Sequence, residues 1–319
     1  MTVDDRALVI HPGALGDVLL AIPALRVLRG RGGTITIAAQ PRIGALLVAL
    51  GAADETVSFD TLGLEALFTD TPLAPDAPFA RRLAAARHVV CWFGARDAHF
   101  ARRLRALAPG TAIAAPAPSS TATAHPAPMR VWEHLVSTIG DHATEPQRAS
   151  PSIDLVPIAI ASRLIDEGRA ALAAAGWDGR SRVLIVHPGA GGAAKRWPAE
   201  GFAAVVGELD ATVVVHEGPA DAEAVKAFTR LVRRNVLHLT HPSLSALAGA
   251  LSLASGYLGN DSGVSHLASA VGARAVILFT EPALAWAPWS PTARCLTVTT
   301  ARILDAERAA VAAGLAALD

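Results

Sequence analysis

One segment of the chain places an acid, a hydroxyl and a histidine within a few residues of each other. Residues 259–268 (GNDSGVSHLA) follow a predicted strand and begin a predicted helix. Ser262 and the backbone amide of Gly263 therefore lie at a helix N-terminus, where free N–H groups and the helix dipole favour a phosphate. His266 follows Ser262 by four residues, so both side chains lie on one helix face. A lone histidine on such a helix is typical of a packed core, but its combination with Asp261 and Ser262 favours a phosphate-binding turn.

A second glycine-rich turn occupies residues 189–198 (GAGGAAKRWP) and also follows a predicted strand. Its first part satisfies the loose G-x-G-x-x-A fingerprint of dinucleotide-binding proteins, which is a weak signal by itself. Lys195 and Arg196 then delay the next helix, and Pro198 suits that helix's first turn. The two cations would suit a pyrophosphate; the alternative is a solvated pair of basic side chains.

A third turn, residues 13–17 (GALGD), joins the first predicted strand to the first predicted helix. Gly13 and Gly16 allow a close approach of the backbone to a ligand. Asp17 would then present a carboxylate able to accept a proton from an incoming hydroxyl. The alternative is a first-turn acid that only stabilises the helix dipole.

These turns belong to a regular alternation of strands and helices. In the first half we predict strands at 7–10, 34–38, 56–59, 88–93 and 111–114, and helices at 15–29, 79–87, 98–107 and 129–139. In the second half we predict strands at 182–186, 211–215, 236–239, 256–258 and 273–279, and a last helix at 303–318. Apolar strands separated by helices indicate parallel sheets that are buried on both faces.

The two halves of the chain begin alike. Residues 8–14 read LVIHPGA and residues 184–190 read LIVHPGA. In a parallel α/β sheet this first turn lies at the carboxyl end of its strand, where ligands bind. We therefore predict an α/β protein of two Rossmann-like, doubly wound domains that face a central cleft, residues 1–155 and 156–302, joined by a proline-containing linker at 142–157.

Composition excludes several other classes of protein. The chain has 28 basic and 28 acidic residues, so no net charge attracts it to nucleic acid, and its 52% hydrophobic content argues against disorder. Two acids precede a short apolar run at the N-terminus, which does not make a signal peptide. No uncharged apolar run reaches the roughly 20 residues of a membrane span. We expect a cytoplasmic protein.

Taken in order, the three turns resemble the signature blocks of glycosyltransferase family 9, the ADP-heptose:lipopolysaccharide heptosyltransferases. The resemblance rests on residues 9–17, on 187–190 with 195–198, and on the pattern from Asp261 to His266, and Pro288-Trp289 is similar to a late tryptophan-containing loop of the family. It implies the GT-B architecture, with a terminal helix at 303–319 that packs back on the first domain. It also implies inverting, metal-independent transfer of a sugar from a nucleotide diphosphate sugar, with ADP-heptose as the candidate donor, to a lipopolysaccharide-core or related glycan.

The resemblance also assigns roles to residues. Asp17 matches the catalytic base, Lys195 the donor-binding cation, and Asp261 the residue that contacts sugar hydroxyls. The remaining donor-side matches are Gly189, Ala190, Gly191, Ser262, Gly263 and His266, and either Glu217 or Asp221 serves the nucleoside. We expect no cofactor and no catalytic metal, because Lys195 and a helix N-terminus can stabilise the leaving diphosphate.

The acceptor side departs from the family pattern. Residues 91–96 (CWFGAR) replace the family's usual segment on that side, which leaves the acceptor open, and the identity of the donor sugar is equally open. Gly13 and Gly16, with Arg96, Arg102 and Arg103, form the candidate acceptor side, because arginine binds carboxylates and phosphates in a bidentate manner. An anionic glycolipid fits these cations and would bring the enzyme to the inner face of the cytoplasmic membrane. An ordinary solvated helix face fits them equally well.

Three alternative functions stay open at this point. One is a related transferase with another sugar donor, and a second is a catalytically silent protein that binds sugar nucleotides. The third is an NAD-dependent oxidoreductase, which residues 195–198 disfavour because they interrupt the dinucleotide fingerprint.

Overall fold

The computed structural model describes residues 6–31, 33–72, 74, 76–118, 129–139, 153–207 and 209–318. It divides into two compact units, Met1–Asp154 and Leu155–Asp319. Of the predicted linker, residues 142–152 lie outside the described residues, and residues 153–157 belong to neither a helix nor a strand. The roles predicted for the two domains stay predictions.

The first unit is built on a five-stranded parallel sheet. Its strands are β1 (Arg6–Ile10), β2 (Thr34–Ala39), β3 (Glu55–Ser58), β4 (His88–Cys91) and β5 (Ala112–Ile113). The spatial order is β3-β2-β1-β4-β5, so the strand order reverses between β1 and β4. The predicted strands are therefore present, although β4 and β5 are shorter than their apolar runs suggested.

Helices cover this sheet, and the first predicted helix needs a correction. They are α1 (Leu15–Leu19), α2 (Ile22–Arg29), α3 (Pro41–Ala49), α4 (Pro78–Ala85), α5 (Ala98–Leu107) and α6 (Val131–Ser137). The single helix predicted over 15–29 is two helices, because Pro23 has no N–H to donate to the carbonyl of Leu19. The core of this unit joins the inner strands to α4 and α5 through Leu8, Ile10, Phe79, Phe100 and Leu104.

The second unit contains a six-stranded parallel sheet. Its strands are β6 (Val183–His187), β7 (Thr212–Glu217), β8 (Val236–Thr240), β9 (Gly256–Asn260), β10 (Ala275–Phe279) and β11 (Ala293–Thr297). The order is β11-β10-β9-β6-β7-β8, which is the doubly wound arrangement with its reversal between β6 and β9. Strand β11 was not predicted, because its side chains are only partly buried and its sequence lacks a continuous apolar run.

The helices of the second unit are α7 (Ser162–Ala174), α8 (Ala199–Val206), α9 (Ala222–Leu231), α10 (Leu244–Leu253), α11 (Gly263–Ala270) and α12 (Asp305–Ala316). The terminal helix α12 was expected to pack on the first domain, but its buried face belongs to the second unit. Val311 and Leu315 are buried in the core of that unit with Val276 and Leu278. The apolar face of α12 thus completes the unit to which its own sequence neighbours belong. Within the described residues, no helix is long and apolar enough to span a bilayer.

Candidate active site

The two turns predicted to bind the donor begin next to each other because their strands are neighbours. Strands β6 and β9 pair in parallel, with His187 opposite Gly259, and both end at the same edge of the sheet. This is the point at which the strand order reverses, and open α/β sheets bind ligands in the crevice formed there. The turn that follows β6 (residues 188–198) and the turn that follows β9 (residues 261–262) therefore share one edge of the sheet.

Asn260, the last residue of β9, is hydrogen-bonded to both ends of the 188–198 turn. Its side-chain Oδ1 accepts the Trp197 N–H at 2.9 Å, and its Nδ2 donates to the carbonyl of Pro188 at 2.9 Å. The residue has no solvent exposure. One buried amide thus holds both ends of the 188–198 turn, which is the turn that carries Lys195. Asn260 was not among the predicted site residues; an amide at the end of a buried strand was the available signal.

Lys195 and Asp261 form the charged centre of the predicted donor side. The Lys195 Nζ donates to Asp261 Oδ2 at 2.7 Å; the lysine side chain is 47% exposed and the aspartate side chain 5% exposed. His266 places its Nε2 at 3.7 Å from Asp261 Oδ1. Burial alone would raise the pKa of the Asp261 carboxyl, but hydrogen bonds and charges from His266 and Lys195 outweigh burial and hold that pKa below its ordinary value. The carboxylate is therefore ionised at neutral pH and holds the ammonium of Lys195 in place.

The start of α11 supplies the neutral part of this site. Ser262 is the N-cap, and its Oγ accepts the N–H of Ser265 at 3.3 Å. Gly263 is the first residue of the helix, and the first N–H groups of a helix have no partner within it. Behind the turn, the hydroxyls of Tyr257 and Ser265 are hydrogen-bonded at 2.8 Å, and burial raises the pKa of that tyrosine. The helix start is thus fixed from beneath by buried hydroxyls.

The glycine turn itself lies against Asp221. A Cβ added at Gly189 would lie 2.0 Å from Asp221 Oδ1, whereas a Cβ at Gly191 would meet nothing within 4 Å. Ala190 is buried, and its carbonyl accepts from Arg196 at 3.3 Å. Only glycine fits at position 189, because the carboxylate occupies the space of a side chain.

The two candidates for the nucleoside differ in their surroundings. Asp221 is 8% exposed and accepts the Gly218 N–H at 3.0 Å, so it stabilises its own turn. Glu217 is the last residue of β7 and is half-buried.

Asp221 belongs to a cluster that the sequence did not reveal. The Nδ1 atoms of His187 and His216 are 3.1 Å apart, and His187 Nε2 lies 3.9 Å from Asp221 Oδ2. Burial lowers the pKa of both histidines, that of His216 to about 3, so both rings are neutral. These three residues could hold a metal ion.

In the first unit, Asp17 lies in the first turn of α1 and is half-buried. Its Oδ2 accepts the N–H of Ala14 at 3.1 Å, so the helix-start role is present in the structure. Beneath this turn the Nδ1 of His11 accepts the Gly13 N–H at 3.2 Å, and burial lowers the pKa of that histidine to about 4. A Cβ at Gly13 would lie 2.7 Å from the His11 ring. The side chains of His11 and Asp17 thus fix this turn, and the Ala14 N–H occupies one oxygen of Asp17.

The acceptor-side arginines have different partners. Arg103 donates to the carbonyl of Thr69 and, at 2.6 Å, to that of Thr71, so it fixes the segment before α4. Arg102 contacts the Nδ1 of His99 at 2.8 Å and is exposed on α5. Arg96 is exposed in the loop after β4. The structure gives Arg103 a structural partner, and the acceptor role of all three stays a prediction. Gly16 is buried within α1.

Comparison with known proteins adds the family. Residues 156–312 match the sequence profile of Glycosyltransferase family 9 (heptosyltransferase). No curated protein sequence matches the chain.

Solved structures resemble the chain over most of its length. A glycosyl transferase family 9 protein from Veillonella parvula is 21% identical, with a TM-score of 0.72 over 93% of this chain and 87% of that one. E. coli ADP-heptose lps heptosyltransferase II is 19% identical, with a TM-score of 0.70 over 98% of each chain. E. coli heptosyltransferase WaaC with ADP is 16% identical, with a TM-score of 0.64 over 98% of this chain and 100% of that one.

At these identities the structures bear on the fold, and they confirm the predicted α/β class and GT-B architecture. The donor-side turns, with Lys195, Asp261 and His266, all lie inside the segment that matches the family profile. By that match, residues 156–312 carry a domain of glycosyltransferase family 9, the heptosyltransferase family.

Proposed function

We propose that this chain transfers a sugar from a nucleotide diphosphate sugar bound in the second unit, with ADP-heptose as the donor. The acceptor is a glycan of the lipopolysaccharide core or a related one, and transfer inverts the anomeric centre. The observation that carries the proposal is the Lys195–Asp261 pair beside the start of α11, at the reversal point of the sheet. WaaC of E. coli has been solved with ADP and with ADP-2-deoxy-2-fluoro heptose, which supports this class of donor.

The charges of the site suit a nucleoside diphosphate as the leaving group. Lys195 and the free N–H groups of α11 would contact the phosphate oxygens, and both stabilise the negative charge that grows there as the glycosidic bond breaks. Asp261 holds Lys195 and has carboxylate oxygens that accept hydrogen bonds from sugar hydroxyls.

We assign the binding of the nucleoside to Glu217. Asp221 already accepts a backbone N–H and lies against Gly189, so its oxygens are committed inside the unit. Glu217 ends β7, the strand next to β6, and its half-buried carboxylate is available to ribose hydroxyls.

We assign to Asp17 the role of the base that deprotonates the acceptor hydroxyl. The bond to Ala14 uses Oδ2, which leaves Oδ1 to accept the proton of the attacking hydroxyl. A base on the acceptor side and a stabilised leaving group on the donor side are the two requirements of a single inverting displacement. A lipid-linked acceptor would bring the enzyme to the inner face of the cytoplasmic membrane, where the exposed Arg96 and Arg102 would meet its anionic groups.

Replacing Lys195 by Ala tests the donor site. We expect the dissociation constant for the nucleotide sugar to rise by roughly tenfold or more, which is about 1.4 kcal/mol. Titration calorimetry with ADP-, GDP-, UDP- and dTDP-sugars measures this constant and ranks the donors. The matched control is Arg169→Ala, which removes an exposed cation on α7. An unchanged affinity in Lys195→Ala would remove the lysine from the donor site.

The same titrations separate the alternatives. Tight binding of a nucleotide sugar without turnover of any glycan acceptor would identify a silent binding protein. Binding of NAD in place of nucleotide sugars would overturn the proposal.

A second test concerns metal in the transfer step. We expect turnover to continue in EDTA without added Mg²⁺ or Mn²⁺, because Lys195 and the helix start supply the positive charge that such an ion would bring. Complete loss of turnover in EDTA, restored by Mg²⁺ or Mn²⁺, would contradict this mechanism.

A further inference from the structure

A buried cluster of two histidines and one aspartate lies beneath the donor-side turn, and the transfer chemistry does not use it. His187 ends β6 and His216 is the next-to-last residue of β7. The strands pair in parallel up to Val186 and Val215, so the two histidines are next in register. Asp221 is the N-cap of α9. Neighbouring strands and the following turn therefore aim all three side chains at one point.

The electrostatics of this cluster are incomplete. The His187, His216 and Asp221 residues are 2%, 3% and 8% exposed. A buried carboxylate is costly unless a cation or several donors compensate it. Among the residues that the structure describes, the ion-pair contact of Asp221 is with His187 at 3.9 Å, and its hydrogen bond comes from Gly218 N–H at 3.0 Å. A bound cation would supply the missing positive charge.

The donor atoms also have the spacing of a metal site. One nitrogen from each histidine and one carboxylate oxygen lie within 4.8 Å of one another. Metal–ligand bonds of about 2.0–2.2 Å place tetrahedral ligand atoms roughly 3.3–3.5 Å apart, so small side-chain rotations suffice. Two imidazoles and one carboxylate favour Zn²⁺ and similar transition metals, whereas Mg²⁺ and Ca²⁺ prefer oxygen ligands alone.

We propose that His187, His216 and Asp221 form a structural site for one divalent ion of the Zn²⁺ type. The ion joins the end of β6 to the end of β7 and fixes the Asp221 carboxylate against Gly189. The ion would stabilise the fold beneath the donor-side turn without touching the sugar or the diphosphate. The proposal goes beyond the transfer reaction and does not depend on which donor the enzyme uses.

Metal binding to the full chain tests the proposal. The purified protein is stripped with a strong chelator and titrated with Co²⁺, whose ligand-field absorption reports bound imidazole, and then with Zn²⁺ as competitor. We expect one Co²⁺ per chain, displacement by Zn²⁺ but not by Mg²⁺, and a higher thermal midpoint with Zn²⁺, because an ion that binds only the folded state stabilises it.

Three variants assign the site. His216→Asn and the nearly isosteric Asp221→Asn should each weaken Co²⁺ binding by at least tenfold, while His238→Asn, at an exposed position of β8, should bind as the wild type does. Circular dichroism establishes that each variant is folded. If His216→Asn does not fold, Asp221→Asn and the ¹⁵N-histidine spectrum of the wild-type protein with Zn²⁺ decide the question.

Two results would overturn the proposal. One is a folded wild-type protein that takes up neither Co²⁺ nor Zn²⁺; the cluster would then be only a hydrogen-bonded pair of histidines beside an aspartate. The other is undiminished binding in the folded Asp221→Asn variant together with unshifted histidine resonances. Neither result bears on donor binding by Lys195, so the two proposals fail separately.

Discussion

Asn260→Asp is the substitution for which the structure gives the clearest magnitude. The carboxylate has the shape of the amide and still accepts the Trp197 N–H, but it cannot donate to the Pro188 carbonyl, which lies 2.9 Å from the present Nδ2. At that distance two acceptor oxygens face each other at a site with no solvent exposure. The substitution therefore replaces an attractive contact by a repulsive one.

The cost follows from the hydrogen bond that the substitution removes and the charge that it buries. A buried acceptor left without its donor costs about 1–3 kcal/mol. The new carboxylate must also be desolvated beside the ionised Asp261, so we expect the free energy of unfolding to fall by about 2–4 kcal/mol in total. The 188–198 turn should loosen at both ends, and donor affinity should fall with it.

Urea denaturation followed by tryptophan fluorescence measures the change, because Trp197 is buried in the second unit. Asn235→Asp is the matched control: it changes the chain's other asparagine, which is exposed, and should alter stability by less than about 0.5 kcal/mol. Titration calorimetry then gives donor affinity for both variants. If Asn260→Asp is as stable as Asn235→Asp and binds donor equally well, the buried amide does not hold the turn.

Two further predictions concern Asp17 in the 13–17 turn and Gly189 in the 188–198 turn. Asp17→Asn keeps an oxygen for the Ala14 N–H but cannot accept a proton. We therefore expect kcat to fall by about 10²–10⁴-fold, with donor affinity unchanged. Wild-type turnover in the folded variant would show that Asp17 only stabilises the helix start. Gly189→Ala places a Cβ 2.0 Å from Asp221 Oδ1 and should lower the free energy of unfolding, measured in urea, by about 1–3 kcal/mol. Gly191→Ala, where a Cβ meets nothing within 4 Å, should leave that free energy unchanged. Equal stabilities of the two variants would show that the turn shifts to accommodate the side chain.

Much of the fold could be predicted because its signals are local. Apolar runs separated by glycine turns fix which residues form strands and helices, and they place Asp17, Lys195 and Asp261 just beyond strand ends before any tertiary contact is known. Parallel strands end at a common edge, which explains why the turns after β6 and β9 lie together, with Lys195 and Asp261 2.7 Å apart. The break at Pro23 was missed although its cause is also local.

The sequence by itself determined the alternation of elements, the three turns and the chemistry that their side chains offer. The tertiary structure decided what lies against those turns: Asn260 between Pro188 and Trp197, Asp221 beneath Gly189, and α12 in the core of the second unit. These contacts join residues that are distant along the chain, and each depends on the order in which the strands assemble. Hydrophobic periodicity records which side chains are buried but not which neighbour buries them, so these partners became known only from the folded chain.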